Sequence, residues 1–179
     1  MPYTAGMKVF VALLRAINVG GTGKLPMSDL RQLCEEAGFK DCRTYIQSGN
    51  AVFRSALSEP NVKAKLEKSL ATLFGKSSGA LVRTRAELQA IIKVNPFKSA
   101  EANRVLVLFM DEPLPRDALK GLQIPGREKV RVEGREIFIH FPDGMGRSKL
   151  KVPFAQTGTG RNMNTVVKLA ALAAELEQN

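Results

Sequence analysis

The run Asn18 to Lys24, NVGGTGK, holds three glycines, an asparagine amide and a lysine ammonium within seven consecutive residues. Gly20, Gly21 and Gly23 let successive backbone N–H groups converge on one point, an arrangement that binds anions, and Lys24 adds a full positive charge. Pro26 then opens an expected helix whose positive end points at the same place, so a phosphate or carboxylate fits there. A second polar run, Gln47-Ser48-Gly49-Asn50, supplies two amides and a hydroxyl. A third, Gly158-Thr159-Gly160-Arg161-Asn162 with Asn164 beyond it, repeats flexible backbone, a cation and a helix amino end. Each run also has a plain structural use. The first glycines make a tight strand-to-helix turn, and Thr159, Asn162 or Asn164 caps the last helix.

Stricter chemistries fail on spacing. A phosphate-binding P-loop needs Gly five positions before its Gly-Lys pair and Ser or Thr after the lysine, whereas Asn18 and Leu25 occupy those places. Gly21-x-Gly23 lacks the third glycine of a dinucleotide fingerprint, with Pro26 standing there instead. His140 is the only histidine, and alternation with Ile139 and Phe141 puts it on the solvent or interfacial side of a strand, which leaves no Ser/Cys-His triad. Cys34 and Cys42 lie eight apart without a C-x-x-C or a nearby histidine and read as reduced and structural, with no metal site. Asp111 and Glu112 are adjacent at a strand end and point oppositely, so they do not act as an acid–base pair on one atom. Residues 9–14, VFVALL, faintly resemble the first motif of an RNA-recognition βαββαβ domain. The companion motif fails, because AVF at 51–53 offers one aromatic, expected to be buried.

The elements that must position these runs follow from periodicity. Residues 8–17 form an apolar, β-branched stretch of strand length that belongs at the centre of a sheet. A helix from Pro26 to Ala37 buries Leu30, Leu33, Cys34 and Ala37 and stops at Gly38. Strands near 43–48 and 51–54 meet at Gly49-Asn50, a two-residue hairpin signal. A helix capped by Ser58 carries an inward stripe of Val62, Leu66, Leu70, Leu73 and Phe74, and a strand at about 79–83 follows. Residues 8–83 thus read βαββαβ, the ferredoxin-like plan. In a right-handed crossover of that kind the loop after strand one and the turn after strand two share one end of the sheet. Arg15, Asn18, Lys24, Gln47, Ser48 and Asn50 are thereby gathered although more than twenty residues separate the two runs. Thr84-Arg85-Ala86-Glu87 is a capping box, and Asn95-Pro96 ends the helix it opens. The second half reads βαββα: a strand at 104–110, a short helix at 115–122, and a hairpin about Gly134 with Val130, Val132, Ile137, Ile139 and Phe141 on its buried face. A basic connection from Pro142 to Gly160 then leads to a helix from about Asn162 to Leu176. It resembles the first half without its last strand. The fold class expected is α+β, two subdomains with antiparallel sheets, residues 1–95 and 96–179.

Composition bounds the partners. The 179 residues are 44% apolar with no Trp, and scaling for this size buries roughly 70% of the unfolded surface, so no disulfide or metal is needed for a fold. With 27 Lys+Arg against 17 Asp+Glu the formal charge is +10, favouring anionic partners. The charge sits mainly in residues 1–100, which carry fifteen basic and seven acidic side chains, and a second basic window runs from Gly144 to Lys168. Apolar runs reach six residues, as in Val9–Leu14 and Val105–Met110, against about 20 for a membrane span. Arg15 cuts the first run short, which speaks against a secretory signal and for the cytoplasm.

Several polar runs together resemble an uncharacterised bacterial family, domain of unknown function 1697. They are LLRAINVGG at 13–21, the Lys24–Leu30 helix start, TYIQSGN at 44–50, NPF at 95–97, GRSKL at 146–150 and RNMNTV at 161–166. Ala16 stands where that family usually has Gly, and Met163 where it often has Trp. The resemblance implies a two-part α+β fold and carries no activity.

The expectation is a cytoplasmic protein that binds a small anionic or nucleotide-like ligand in a polar pocket at strand ends. The residues concerned are Arg15, Asn18, Gly20, Gly21, Lys24, Gln47, Ser48 and Asn50, completed by Arg161, Asn162 and Asn164. Any chemistry would rest on electrostatic stabilisation of a developing anion rather than on a nucleophile. Two alternatives stand beside it: non-specific nucleic-acid binding through the basic surface, and an assembly module using the Ala/Leu-rich last helix.

Overall fold

The computed structural model describes residues 6–15, 25–45, 49–75 and 79–179. The protein is α+β and forms two compact units, Met1–Leu88 together with Leu169–Asn179, and Gln89–Lys168. Each contains a four-stranded antiparallel sheet.

In the first unit the order is β1 (Lys8–Leu14), α1 (Met27–Glu36), β2 (Lys40–Tyr45), β3 (Asn50–Ser55), α2 (Glu59–Phe74) and β4 (Ala80–Thr84). The sheet runs β2-β3-β1-β4, so the most apolar strand lies between two neighbours, and every residue of β1 after Lys8 is buried. Phe10, Ala12 and Leu14 on one face join Phe53, Val82 and the buried stripes of both helices in one core. Phe53 stacks on Phe39 with ring centroids 4.3 Å apart and is fully buried, so it presents no surface for a base. Val62, Leu66 and Leu70, four apart, form the inner stripe of α2. Phe74 extends it, but Leu73, although on the same helical face, lies in the last turn of α2 and is 54% exposed. The β2–β3 connection also differs from a two-residue turn. Tyr45 pairs with Asn50, which places Asn50 in the strand and leaves a four-residue link, 46–49, between the paired positions.

The second unit contains β5 (Val105–Phe109), β6 (Lys129–Glu133), β7 (Glu136–His140) and β8 (Thr159–Asn162), and α4 (Met163–Gln178) follows β8. Between the first four strands and these, α3 (Arg85–Val94) begins at the expected capping box: Thr84 N–H donates to Glu87 Oε2 at 2.9 Å, and Glu87 N–H donates to Thr84 Oγ1 at 3.2 Å. The hairpin turns at Gly134, whose φ of 61° suits glycine. Its inner strand β7 lies between β6 and β5, and its residues Glu136 to Ile139 are buried on both faces.

Two elements depart from the reading by periodicity. Residues 115–122 make successive turns rather than a helix, with N–H to C=O bonds from Ala118 to Pro115, Lys120 to Asp117 and Leu122 to Leu119. A segment cut by Pro113, Pro115 and Gly121 is too short to repay helix nucleation. The converse departure is β8, a strand where a loop was expected. Thr-Gly-Arg-Asn has no apolar alternation, and the strand exists because it pairs with β5 along Phe109↔Thr159, Leu108↔Gly160, Val107↔Arg161 and Leu106↔Asn162.

With β8 present, the second sheet, β6-β7-β5-β8, reproduces the order of the first. The repetition reaches individual positions. Arg83 pairs with Val11 and Arg161 with Val107; Thr84 pairs with Phe10 and Asn162 with Leu106; each sheet's last strand leads directly into a helix.

Candidate functional site

The carboxyl end of β1 is where chain segments meet in the first unit. Leu14 N–H donates to Gly49 O at 2.8 Å, and Arg15 N–H donates to Gly79 O at 2.8 Å. The end of β1, the start of β3 and the start of β4 therefore converge on two consecutive residues. Gly49 has φ 78°, and a Cβ there would lie 3.0 Å from Leu14 Cβ, so a bare backbone is required for this approach. A Cβ on Gly79 would meet Arg15 Nε at 2.6 Å and Nη2 at 3.0 Å, which means that the half-buried guanidinium lies across Gly79. A planar cation with up to five donors is thus seated where three segments end.

Asn50 is fully buried at the same end of the sheet, and its Nδ2 donates to Tyr45 O at 3.0 Å, closing the β2–β3 connection. Its side chain therefore has a structural task beside any part in binding. Asn18, Gly20, Gly21, Lys24, Gln47 and Ser48 lie outside the described residues.

The other expected residues belong to the second unit. Arg161 is 5% exposed and donates from Nη1 to Thr159 Oγ1 at 2.7 Å and to Gly160 O at 2.8 Å. Burial pushes its ionisation down to about 10, since removing a guanidinium from water penalises its charged form. Arg83, on the corresponding strand of the first unit, donates in the same way to Val82 O at 3.0 Å and is 1% exposed. Asn162 Oδ1 accepts from Thr165 N–H at 2.9 Å and so caps α4. Asn164 is exposed. Arg83 escaped the sequence reading although a signal was available: an arginine and a capping residue stand immediately before a helix in both LVRT-RAEL and TGRN-MNTV.

A second feature went unread. In the first unit a cleft of about 580 Å³ is lined by Arg31, Asp41, Cys42, Arg43 and Arg54 among others. Three arginines there are held by carboxylates: Arg54 Nε by Asp41 at 3.2 Å, Arg43 by Glu175 at 3.3 Å, and Arg31 by Glu35 at 3.1 Å. Among the described residues no group of three His, Cys, Asp or Glu side chains is placed to hold a metal ion, and no helix is long and apolar enough to cross a membrane. His140 ends β7 half-buried, its ring 5.6 Å from that of Phe97.

These features define an α+β protein of two similarly ordered antiparallel units, with a cation seated at one sheet end. The chain belongs to the family described as Protein of unknown function (DUF1697), whose model matches residues 7–138. It is similar in structure to the conserved bacterial protein SP0830 from Streptococcus pneumoniae, with a TM-score of 0.76 and 27% sequence identity over 93% of this chain and 99% of that one. No curated protein matches the sequence.

Proposed function

We propose that this is a cytoplasmic protein that binds a small anionic or nucleotide-like ligand at the carboxyl end of β1. The observation that carries this reading is the seating of Arg15. Its backbone is fixed by Gly79, its neighbour Leu14 by Gly49, and its guanidinium is aligned over a glycine. Orientation is what separates a recognising arginine from a solvated one, because a guanidinium held in place loses less entropy when it forms paired bonds to a phosphate or carboxylate. Asn18, Gly20, Gly21, Lys24, Gln47 and Ser48 flank this end in sequence and supply the amides, hydroxyl and second charge of the proposed site. Arg161, Asn162 and Asn164 belong to the second unit, where Arg161 donates to Thr159 and Gly160 and Asn162 caps α4.

The test is a thermal-shift screen of nucleotides, sugar phosphates and short oligonucleotides against wild type, Arg15→Ala and Lys24→Ala. A compound that raises the melting temperature of wild type and loses its effect in both variants supports the site. If only oligonucleotides bind, and their affinity falls steeply with salt through counterion release, the charge of the surface as a whole is responsible and the pocket reading fails.

A further inference from the structure

Cys34 and Cys42 are both free thiols in the first unit, one on the last turn of α1 and the other on β2. The chain returns sharply between them. Phe39 N–H donates to Cys34 O at 3.1 Å and Gly38 N–H to Glu35 O at 3.0 Å, so the strand starts immediately beside the helix end. The β2–β3 register then shifts between Lys40 and Arg43, and Asp41 takes a φ of 53°, which is uncommon for a residue other than glycine. A bulge of this kind re-aims a side chain. Here it turns Cys42 into the core cluster that already holds Cys34, leaving it 5% exposed while Cys34 is wholly buried. The two thiols are hydrogen-bonded to each other.

Their surroundings differ in sign. Cys34 sits at the negative end of α1, next to Glu35, where an anion is disfavoured. Cys42 lines the arginine cleft, with Arg31 nearby to attract a thiolate, against the opposing charges of Asp41 and Glu35. The bond from Cys34 holds Cys42 below the ordinary thiol range, whereas that same bond, together with burial, pushes Cys34 up. One sulfur is thus prepared to attack and the other to stay protonated behind it, and the attacking one faces the only one of the two environments that opens to solvent.

We propose that Cys34 and Cys42 are a reversible dithiol–disulfide site that reacts with hydroperoxides entering the arginine-lined cleft. The Cys42 thiolate attacks the terminal peroxide oxygen. An S–O bond forms, the O–O bond breaks, and the departing alkoxide or hydroxide takes up a proton. Cys34 sulfur then attacks Cys42 sulfur, forming S–S and breaking S–O, and the hydroxide leaves as water with the Cys34 proton. Two thiols supply two electrons, and one peroxide becomes one alcohol (or water) and one water. An external dithiol reverses the oxidation by exchange.

The experiment exposes the full chain to hydrogen peroxide, then denatures and alkylates it. Wild type is expected to lose both free thiols and two hydrogens of mass, and peptide mapping to find Cys34 linked to Cys42. In Cys34→Ala, dimedone is expected to capture a sulfenic acid on Cys42, and in Cys42→Ala the remaining thiol survives. Arg31→Gln, an exposed change, is expected to slow oxidation about two- to fivefold, the size of a partly screened charge effect. Two alkylatable cysteines after peroxide, a linkage only between separate chains, or Cys42→Ala oxidising as fast as wild type would each overturn the proposal. Mapping the oxidised wild type needs no variant, so a substitution that disturbs folding leaves this result intact.

Discussion

Gly79→Ala separates the presence of a cation at the end of β1 from its orientation. The added Cβ would stand 2.6 Å from Arg15 Nε and 3.0 Å from Nη2, too close for either to remain. What must move is the far end of a flexible side chain, and the backbone at Gly79 is outside the left-handed region, so the change costs little stability. Replacing glycine at a compatible position returns about 0.4–1 kcal/mol through the unfolded chain, which offsets much of the rearrangement. The net effect should stay within about 1 kcal/mol, or roughly 2–4 °C in Tm for a chain of this size. Binding should respond far more. A charge-assisted hydrogen bond contributes about 1.5–3 kcal/mol, so misdirecting the guanidinium weakens Kd about 10- to 100-fold although the net charge is unchanged. Calorimetric titration of a phosphate ligand from the thermal-shift screen into wild type, Gly79→Ala and Arg15→Ala measures this directly. Equal Kd values for Gly79→Ala and wild type would refute the role given to Arg15. A Tm loss far beyond 4 °C would instead make Arg15 a structural clamp.

Gly158→Ala should destabilise the second unit. Its Cβ would lie 2.5 Å from the Phe109 carbonyl oxygen and 2.6 Å from Met110 Sδ, forcing β8 away from β5 at about 1–3 kcal/mol, while Gly146→Ala, with nothing within 4 Å, should change stability by less than about 0.5 kcal/mol. Thermal melts distinguish the two. Thr84→Ala removes the cap of α3 and should cost about 1 kcal/mol, read from denaturant midpoints. The pH profile of Cys42 alkylation should show ionisation below the ordinary thiol range. Cys34→Ala should move it to higher pH, because the lost S–H donor stabilised the thiolate and its absence favours the protonated form. Leu73→Ser should be nearly neutral in a thermal melt, since that leucine lies in the last turn of α2 and is 54% exposed.

Much of the first unit was legible along the chain because its signals are local. VFVALL, the part of β1 after Lys8, is apolar throughout and sits between two strands; Thr84 and Glu87 pair at the spacing of a capping box; Val62, Leu66 and Leu70 keep a helical period. The neighbourhood of Leu14 with Gly49 was also foreseeable, since the handedness of the crossover leaves few alternatives. Other features depended on partners remote in sequence. TGRN becomes β8 because β5 offers an edge, with Gly158 leaving room for the Phe109 carbonyl and Gly160 for the Leu106 side chain. The likeness between the two units is nearly invisible in letters and plain in strand order, because pairing constrains backbone position and face rather than residue identity. Composition and spacing thus determined that the chain is basic, α+β and poor in nucleophilic machinery. Which cation is held still, and which thiol faces its partner, was decided by tertiary contacts: a bulge at Asp41 and a bare glycine at position 79 act through space, on side chains that no local pattern names.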